Sequence, residues 1–182
     1  AMSGSLTLPQ MQQMATTIRQ DIIRMLEKAG SGHSAGPLGM TDIFTALYFN
    51  ILKQNPKDPD WDERDILILS NGHTVPVRYA TMARAGYFPV DELMTLRRFG
   101  TRLQGHPERV RLPGMETTSG PLGSGLSQAA GMAYALGTID QVSNRWVYVV
   151  MGDGELDEGN IWEGAMFAAK NKLHNLIGII DR

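Results

Sequence analysis

The 182-residue chain lacks cysteine, which excludes disulfide bonds and thiolate chemistry. It also lacks any apolar run near the roughly 18 residues that a membrane-spanning helix needs. Neither sign of charge dominates, because 17 basic residues face 19 acidic ones and the formal net charge is -2. Nucleic-acid-binding proteins usually carry a basic stripe, and none is visible in this sequence. These absences predict a protein that binds neither a membrane nor a nucleic acid.

The ends and the size of the chain suggest a simple organisation. Residues 1–8 are interpreted as a tag remnant and flexible start, and no signal-peptide pattern follows them. Together with the absence of cysteine, this favours a cytoplasmic location. With 42% apolar residues, 182 residues suffice for one ordinary core, so one domain is predicted over residues 9–182.

Helical periodicity recurs along the chain. Apolar side chains at helical spacing predict a helix over residues 9–29, with Pro9 in its first turn and Gly30 at its end. Further helices are predicted over residues 41–52 with Thr41 as cap, from the SNGH turn to about Ala85, over residues 91–99 with Asp91 as cap, from Leu126 onward, and over residues 157–172. Glycine-rich or polar loops are predicted over residues 30–39, 55–62 and 100–125.

Three apolar runs have the length and composition of buried strands: Ile66–Leu69, Trp146–Met151 and Leu176–Ile180. The last two flank a predicted helix, which is the pattern of a βαβ unit with a parallel crossover. The fold class is therefore predicted to be α/β, a doubly wound parallel sheet with helices on both faces. Ligands bind such sheets beyond the carboxyl ends of the strands, where the SNGH and GDG turns are placed.

The Gly152-Asp153-Gly154 turn directly follows a predicted strand. Asp153 can offer a carboxylate to a cation, and the flanking glycines let backbone N–H groups approach an anion. Magnesium prefers one or two carboxylates together with phosphate oxygens and waters. The alternative is an ordinary strand-ending turn, for which Asp-Gly is a common pair.

Four further acidic residues follow Asp153 within one loop and the start of a helix: Glu155, Asp157, Glu158 and Glu163. Acidic side chains commonly complement the dipole of a helix N-terminus, which explains Asp157 and Glu158 well and Glu155 less well. So many carboxylates repel one another unless a cation or a shared proton offsets their charge.

The segment from Thr117 to Gly125 is a glycine-rich loop that opens a predicted helix. Such a loop is a ready anion site, because backbone N–H groups point out of a helix start. Pro121 has no N–H, so the donors must be its neighbours. The alternative is a flexible linker followed by a cap. The ending of a Walker A motif is missing.

Three of the four histidines, His33, His73 and His106, lie in polar, glycine-flanked loops. This placement favours a shared polar pocket, although a single loop histidine is more often a surface or capping residue. Their spacing matches no local zinc motif. His174 lies near a predicted helix end and is expected to be structural or exposed.

Five segments of the chain carry a family resemblance when they are taken together. They are GHSAGPLGMTDI, LILSNGHTVPVRYA, LQGHPE, ETTSGPLGSGLSQAAGMA and GDGELDEGNIWEGAMFAAKNKLHNLIGIIDR. In this order they resemble transketolase, one of the thiamine-diphosphate-dependent enzymes, over nearly the whole chain from about Gln10. Each motif alone is weak, but their joint occurrence is specific. The sequence of these segments is most similar to that of the separate N-terminal subunits of split transketolases.

The resemblance implies a thiamine diphosphate and Mg²⁺ site. It makes Asp153 the magnesium ligand, and it makes Gly152 and Gly154 contacts of the cofactor, Gly154 to the diphosphate through its backbone. His73 is implied on the phosphate side of the cofactor. The implied lining of the thiamine site consists of Gly120, Pro121 and Leu122.

The resemblance also implies the residues that act on the substrate. His33 and His106 are expected to hydrogen-bond hydroxyl groups of a sugar donor, and neutral imidazoles suit that task. Glu158 and Glu163 match acidic positions that link the two active sites of the family's dimer. The implied reaction transfers a two-carbon ketol unit from a ketose to an aldose, with sugar phosphates as substrates.

Departures from the family's pattern point to an incomplete site. Around His33 the chain has GHSAG where many members have GHPG. In the family, an asparagine just beyond the position of Arg182 completes the metal site, so this chain is expected to be part of a pyrophosphate-binding domain. The resemblance places other catalytic groups on a C-terminal subunit with the pyrimidine-binding domain. We therefore expect a homo- or hetero-oligomer and an inactive isolated chain.

Two other interpretations remain open at the level of sequence. The chain fits another thiamine-diphosphate enzyme of the dihydroxyacetone synthase or deoxyxylulose-phosphate synthase type, although the SNGHTVPVRYATMARAGYF wording follows transketolase. It also fits a non-catalytic subunit that keeps the scaffold for assembly or regulation. Retention of Asp153 and of the three loop histidines argues against that role.

Overall fold

A computed structural model describes residues 5–182 and divides them into two compact units. We call them the helical unit, which contains the residues up to Arg64 and His73–Gly114, and the sheet unit, which contains Asp65–Gly72 and Met115–Arg182. Of the predicted flexible start, residues 1–4 lie outside the described residues. The single domain over residues 9–182 stays a prediction.

The helical unit is built from helices and turns. Its α-helices are α1 Leu8–Ala29, α2 Ala35–Gly39, α3 Thr41–Ala46 and α4 Val75–Ala85. A π-turn at Leu47–Ile51 continues α3, a 3₁₀-turn at Gly72–Thr74 leads into α4, and another 3₁₀-turn spans Val90–Thr95.

Helix α1 forms where the sequence predicts it. Gln10 accepts a hydrogen bond from the backbone N–H of Thr7 at 2.8 Å, which satisfies a donor at the helix start. Gly30 ends the helix in the left-handed conformation with φ 68°, as expected of a glycine after the last turn. Ile18 and Ile22, one turn apart, are both fully buried, so the predicted apolar face is confirmed.

Three details of the predicted helices are wrong. The loop over residues 30–39 contains α2, so the chain is already helical when it reaches Thr41. Thr41 therefore caps nothing, and its buried hydroxyl donates to the Pro37 carbonyl at 2.9 Å. The helix over residues 91–99 with Asp91 as cap is a shorter 3₁₀-turn instead, because Leu96 turns extended and Arg97 takes φ 60°.

A buried ion pair joins α1 to α4, and its loss is expected to destabilise the fold. Asp21, 3% exposed, accepts two hydrogen bonds from Arg84 at 2.6 and 2.9 Å. Asp21→Asn is expected to lower the free energy of unfolding by about 2–4 kcal/mol, because it leaves a partly buried guanidinium without its counter-charge. Asp42→Asn, which breaks the exposed pair with Arg19, is expected to cost about 0–0.5 kcal/mol. Equal urea midpoints for the two variants would contradict this account.

The sheet unit contains a parallel three-stranded sheet in the order β1-β2-β3, formed by Ile66–Leu69, Val147–Gly152 and Leu176–Asp181. Helix α5 spans Gly125–Tyr134 and continues as a π-turn at Ala135–Ile139, and helix α6 spans Gly159–Lys170 after a 3₁₀-turn at Asp153–Asp157. Helix α6 lies between β2 and β3 along the chain, and these two strands pair in parallel. The predicted βαβ unit with a parallel crossover is therefore confirmed.

The core of the sheet unit lies between the strands and α5. Ile68 and Val149 are fully buried and face each other in the register of β1 and β2, and Ala129 of α5 is buried in the same cluster. Small residues on α5 allow the helix to lie close to the sheet. The prediction of a buried third strand is wrong, because β3 is an edge strand of the described sheet. Its Ile180 is 48% exposed.

The α/β fold class with a parallel sheet is confirmed. Within residues 5–182, every helix is too short or too polar to cross a bilayer.

Candidate functional site

Three segments of the sheet unit follow or face the carboxyl ends of the parallel strands. Ser70–Gly72 follows β1, the turn over residues 152–158 follows β2, and the loop over residues 120–125 opens α5. Carboxyl ends of adjacent parallel strands meet at one edge of a sheet. We call these three segments the rim.

The buried carboxylate of Glu155 joins the rim. Its Oε1 accepts hydrogen bonds from the Ser70 hydroxyl at 2.5 Å and from the Gly123 N–H at 2.8 Å. Its Oε2 accepts from the Gly152 N–H at 2.8 Å. Glu155 is 1% exposed, so all three bonds are shielded from water. One side chain therefore holds three loops in a fixed arrangement.

Glu155 is the residue that sequence reasoning missed. The glycine-rich loop before α5 was predicted to bind an anion, and the first anion at that loop is the chain's own carboxylate. Gly123 donates to Glu155, and Gly125 donates to the Ser70 hydroxyl at 3.1 Å. These two N–H groups are therefore not available to a phosphate. The poor fit of Glu155 to a helix-dipole role was the one signal in the sequence.

Close approach explains the glycines that open α5. Gly123 has φ 84°, and a Cβ there would lie 2.6 Å from the Glu158 Cβ. A Cβ at Gly125 would lie 2.3 Å from the Ser70 Cβ. Asn160 fixes the same loop from α6, since its Nδ2 donates to the Gly123 carbonyl at 2.8 Å.

Asp153 and Gly154 lie exposed at the end of β2. The Asp153 Oδ1 accepts from the Gly154 N–H at 2.8 Å, and a Cβ at Gly154 would meet no atom within 4 Å. This corner of the rim thus offers a carboxylate beside open backbone. The predicted thiamine lining consists of Gly120, Pro121 and Leu122. All three residues are exposed on the facing loop.

The oxygen ligands that the rim offers suit a magnesium ion that is also bound by phosphate oxygens of a cofactor. In residues 5–182, no group of three or more histidine and acidic side chains is placed to hold a metal ion. An all-protein cage is therefore a poor fit. Magnesium commonly keeps several waters and binds through one carboxylate and phosphate oxygens, which the exposed Asp153 allows.

The other acidic residues do not form one cluster with Asp153. Glu155 is buried among donors, whereas Glu158 and Glu163 are exposed at the N-cap and on the surface of α6. The predicted repulsion among these carboxylates is thus relieved for Glu155 by hydrogen bonds. The roles of Glu158 and Glu163 in linking active sites stay predictions.

The helical unit gathers its three loop histidines. The rings of His33 and His73 meet edge to face with centroids 4.9 Å apart. Partial burial lowers the pKa of His106 below its usual 6.5, and the positive charge of Arg97 and the nearby His33 lower it further. The structure therefore brings the three histidines near one another. His174 is exposed in the sheet unit, as expected.

The lowered pKa of His106 predicts a neutral imidazole at pH 7. Arg97→Gln is expected to raise that pKa toward 6.5, because it removes a positive charge that disfavours the imidazolium. The unfolded chain binds this proton more tightly, so the stability that His106 contributes above pH 6.5 is lost as the pH falls below 6.5 through its lowered folded-state pKa. NMR titration of the imidazole checks the value, with Arg98→Gln as control. A wild-type pKa at or above 6.5, or no change in Arg97→Gln, would refute the electrostatic account.

Known proteins share both the sequence and the fold. A family model described as the transketolase thiamine diphosphate binding domain matches residues 10–182. The chain is 44% identical over 171 residues to a 6-deoxy-6-sulfo-D-fructose transketolase subunit of Clostridium sp. (strain MSTE9), covering 94% of this chain and 62% of that protein. It is 41% identical over 179 residues to an apulose-4-phosphate transketolase subunit of Actinobacillus succinogenes, covering 98% and 64%.

The fold comparison agrees. Transketolase from Leishmania mexicana superposes with a TM-score of 0.90 at 35% identity, over 97% of this chain and 27% of that chain. The chain spans less than two thirds of the length of each of these proteins.

Proposed function

The chain belongs to the transketolase family, as its thiamine diphosphate-binding domain, and on this premise we propose that it supplies the Mg²⁺–diphosphate part of an active site that transfers two-carbon ketol units. The acceptor is an aldose and the donor a ketose. The remaining part of the site comes from a partner domain. The relatives are named after different sugars, so we propose the transfer of a ketol unit and do not propose a particular ketose donor.

The observation that carries the proposal is the rim itself. A buried carboxylate ties the loop before α5 to the turn after β2, and Asp153 stands exposed beside it. Asp153 would ligate Mg²⁺ and would thereby release the Gly154 N–H, which now donates to its Oδ1, so that this N–H could donate to a diphosphate oxygen. Thiamine diphosphate, when bound, supplies the carbon–carbon bond chemistry. Gly120, Pro121 and Leu122 would line the thiamine part.

Histidines of the helical unit would serve the sugar. A neutral imidazole can accept a proton from a hydroxyl group and return it, and the lowered pKa of His106 keeps that form at neutral pH. His33 would act beside it, and His73 would reach the phosphate side of the cofactor. We expect His33→Ala to spare cofactor affinity and to slow turnover.

Exposed apolar surface supports an oligomer. Helix α6 exposes Trp162 and Met166 at 56% and 65%, and the edge strand β3 exposes Ile177 at 36%. Exposed apolar side chains one helical turn apart, as Trp162 and Met166 are, commonly mark an interface with another chain. The proposed partner is a C-terminal transketolase subunit that carries the pyrimidine-binding domain. A cytoplasmic location is proposed with this role.

Calorimetric titration with thiamine diphosphate tests the proposal. The chain is measured alone and with the partner subunit, each with Mg²⁺ and with EDTA. We expect weak binding by the chain alone and magnesium-dependent binding by the assembly, accompanied by ketol transfer between sugar phosphates. Absence of cofactor binding in the assembly would instead favour the non-catalytic scaffold role.

A further inference from the structure

We propose that Glu155 is a positioning residue that sets the geometry of the cofactor loops before any cofactor arrives. The inference rests on the proposed function and deepens it. It assigns a role to a side chain that does not touch the cofactor and acts through the backbone of its neighbours.

The Glu155 carboxylate accepts one hydrogen bond from each segment of the rim. The Ser70 hydroxyl and the Gly123 N–H donate to Oε1, and the Gly152 N–H donates to Oε2. The three donors lie 85, 32 and 3 residues away along the chain. Since Glu155 is 1% exposed, water cannot replace these bonds without opening the rim.

The tethered backbone includes the proposed binding atoms. Gly152 immediately precedes Asp153, so the bond from its N–H fixes the backbone one peptide before the Asp153 carboxylate. Gly123 immediately follows Leu122, so the bond from its N–H fixes the end of the proposed thiamine lining. Holding ligand groups in place before binding lowers the entropy cost of binding.

A second link extends this network to α5. The Ser70 hydroxyl donates to Glu155 and accepts from the Gly125 N–H at 3.1 Å. Ser70 is 1% exposed, so its hydroxyl is shared between the carboxylate and the helix start without competition from water. The strand β1, the helix α5 and the turn after β2 thus depend on one buried acceptor.

Glutamine separates the acceptor role from simple filling of space. Glu155→Gln keeps the size of the side chain but replaces one acceptor oxygen with an NH₂ group. In one orientation that group opposes the Gly152 N–H, and in the other it opposes the Gly123 N–H and Ser70. Either orientation sets donor against donor, so at least one loop must move.

Two controls separate positioning from loss of charge and from loss of stability. Asp157→Asn removes one carboxylate charge from the same turn, but Asp157 is exposed. Asp21→Asn destabilises the helical unit without touching the rim. Neither is expected to change the affinity for cofactor when the protein is folded.

The experiment measures the Kd of thiamine diphosphate with Mg²⁺ by calorimetry, in the full chain assembled with its partner subunit, at a temperature where circular dichroism shows every variant folded. Glu155→Gln is expected to weaken binding by about 10- to 100-fold, as loss of an outer-sphere partner commonly does. Amide hydrogen exchange at Gly123 and Gly152 is expected to accelerate in the same variant without cofactor.

Each outcome decides the matter. Unchanged Kd in Glu155→Gln with a binding wild type would overturn the inference alone, whereas a wild type that does not bind would overturn the proposed function. An equal loss of cofactor affinity in Asp21→Asn would show that Glu155 acts only through the stability of the protein, and it would also overturn the inference. If Glu155→Gln fails to fold, Ser70→Ala decides in its place. Its expected loss is about fivefold to tenfold, since it removes one of the three donors and leaves the Gly125 N–H unpaired.

Discussion

Asp153→Asn is expected to weaken magnesium-dependent binding of thiamine diphosphate by about 100-fold or more. Asparagine keeps the size of the side chain and an oxygen that can accept from the Gly154 N–H, so the turn keeps its shape. The lost negative charge would face the proposed Mg²⁺ ion, which prefers carboxylate and phosphate oxygens as ligands. The effect therefore falls on the metal and leaves the fold intact.

Titration of Asp153→Asn with and without Mg²⁺ checks this prediction. Asp157→Asn is the matched control, because it removes the same charge from an exposed side chain of the same turn. The control is expected to bind as the wild type does. Unchanged magnesium dependence in Asp153→Asn would remove Asp153 from the metal site.

Gly125→Ala is expected to destabilise the sheet unit strongly. Its Cβ would lie 2.3 Å from the Ser70 Cβ and 2.9 Å from the Ser70 Cα, so β1 and α5 must separate. We expect a loss of about 2–3 kcal/mol in the free energy of unfolding. The Ser70 hydroxyl would also lose its position between Gly125 and Glu155, which weakens the rim.

The same helix contains a matched control for Gly125→Ala. Gly131 has open space around its Cβ position and lies in the middle of α5. Gly131→Ala is expected to stabilise the protein by about 0.5–1 kcal/mol, because alanine is the better helix former. Urea unfolding measures both variants. A loss in Gly131→Ala as large as in Gly125→Ala would contradict this explanation, because no atom lies within 4 Å of a Cβ at Gly131.

The parallel sheet could be predicted from the sequence because its signals are local. Ile66–Leu69 forms β1 with the predicted bounds, and the second predicted strand is displaced by only one residue at each end in β2. A run of β-branched and large apolar residues predicts a strand, and the glycine-rich turn after it predicts where the strand ends. The edge of the sheet proposed for ligand binding followed from the parallel order of these strands.

Burial in β3 and the ends of several helices could not be predicted, because they depend on distant neighbours. The apolar run in β3 predicts burial, although one side of its backbone lies at the edge of the described sheet. The position of Thr41 predicts a cap, although its hydroxyl bonds to Pro37 within a turn that already exists. Tertiary context overrides local preference in both cases.

Within the candidate site, the motifs were visible and the tether was not. The sequence places Asp153 and the glycine-rich loop in separate segments, and only the folded chain brings Gly123 onto the carboxylate of Glu155. The residue spacing contains no sign of this contact, which spans 32 positions. The sequence therefore identified the edge of the sheet, but it predicted that the N–H donors of the loop bind an external anion, whereas Gly123 donates to Glu155.

Anomalous diffraction can decide whether Asp153 ligates the metal. Crystals of the assembly grown with thiamine diphosphate and Mn²⁺ in place of Mg²⁺ would locate the metal from its own scattering. We expect a peak roughly 2.2 Å from a carboxylate oxygen of Asp153, with diphosphate density at the Gly154 N–H. A manganese peak elsewhere, with Asp153 left facing water, would contradict it.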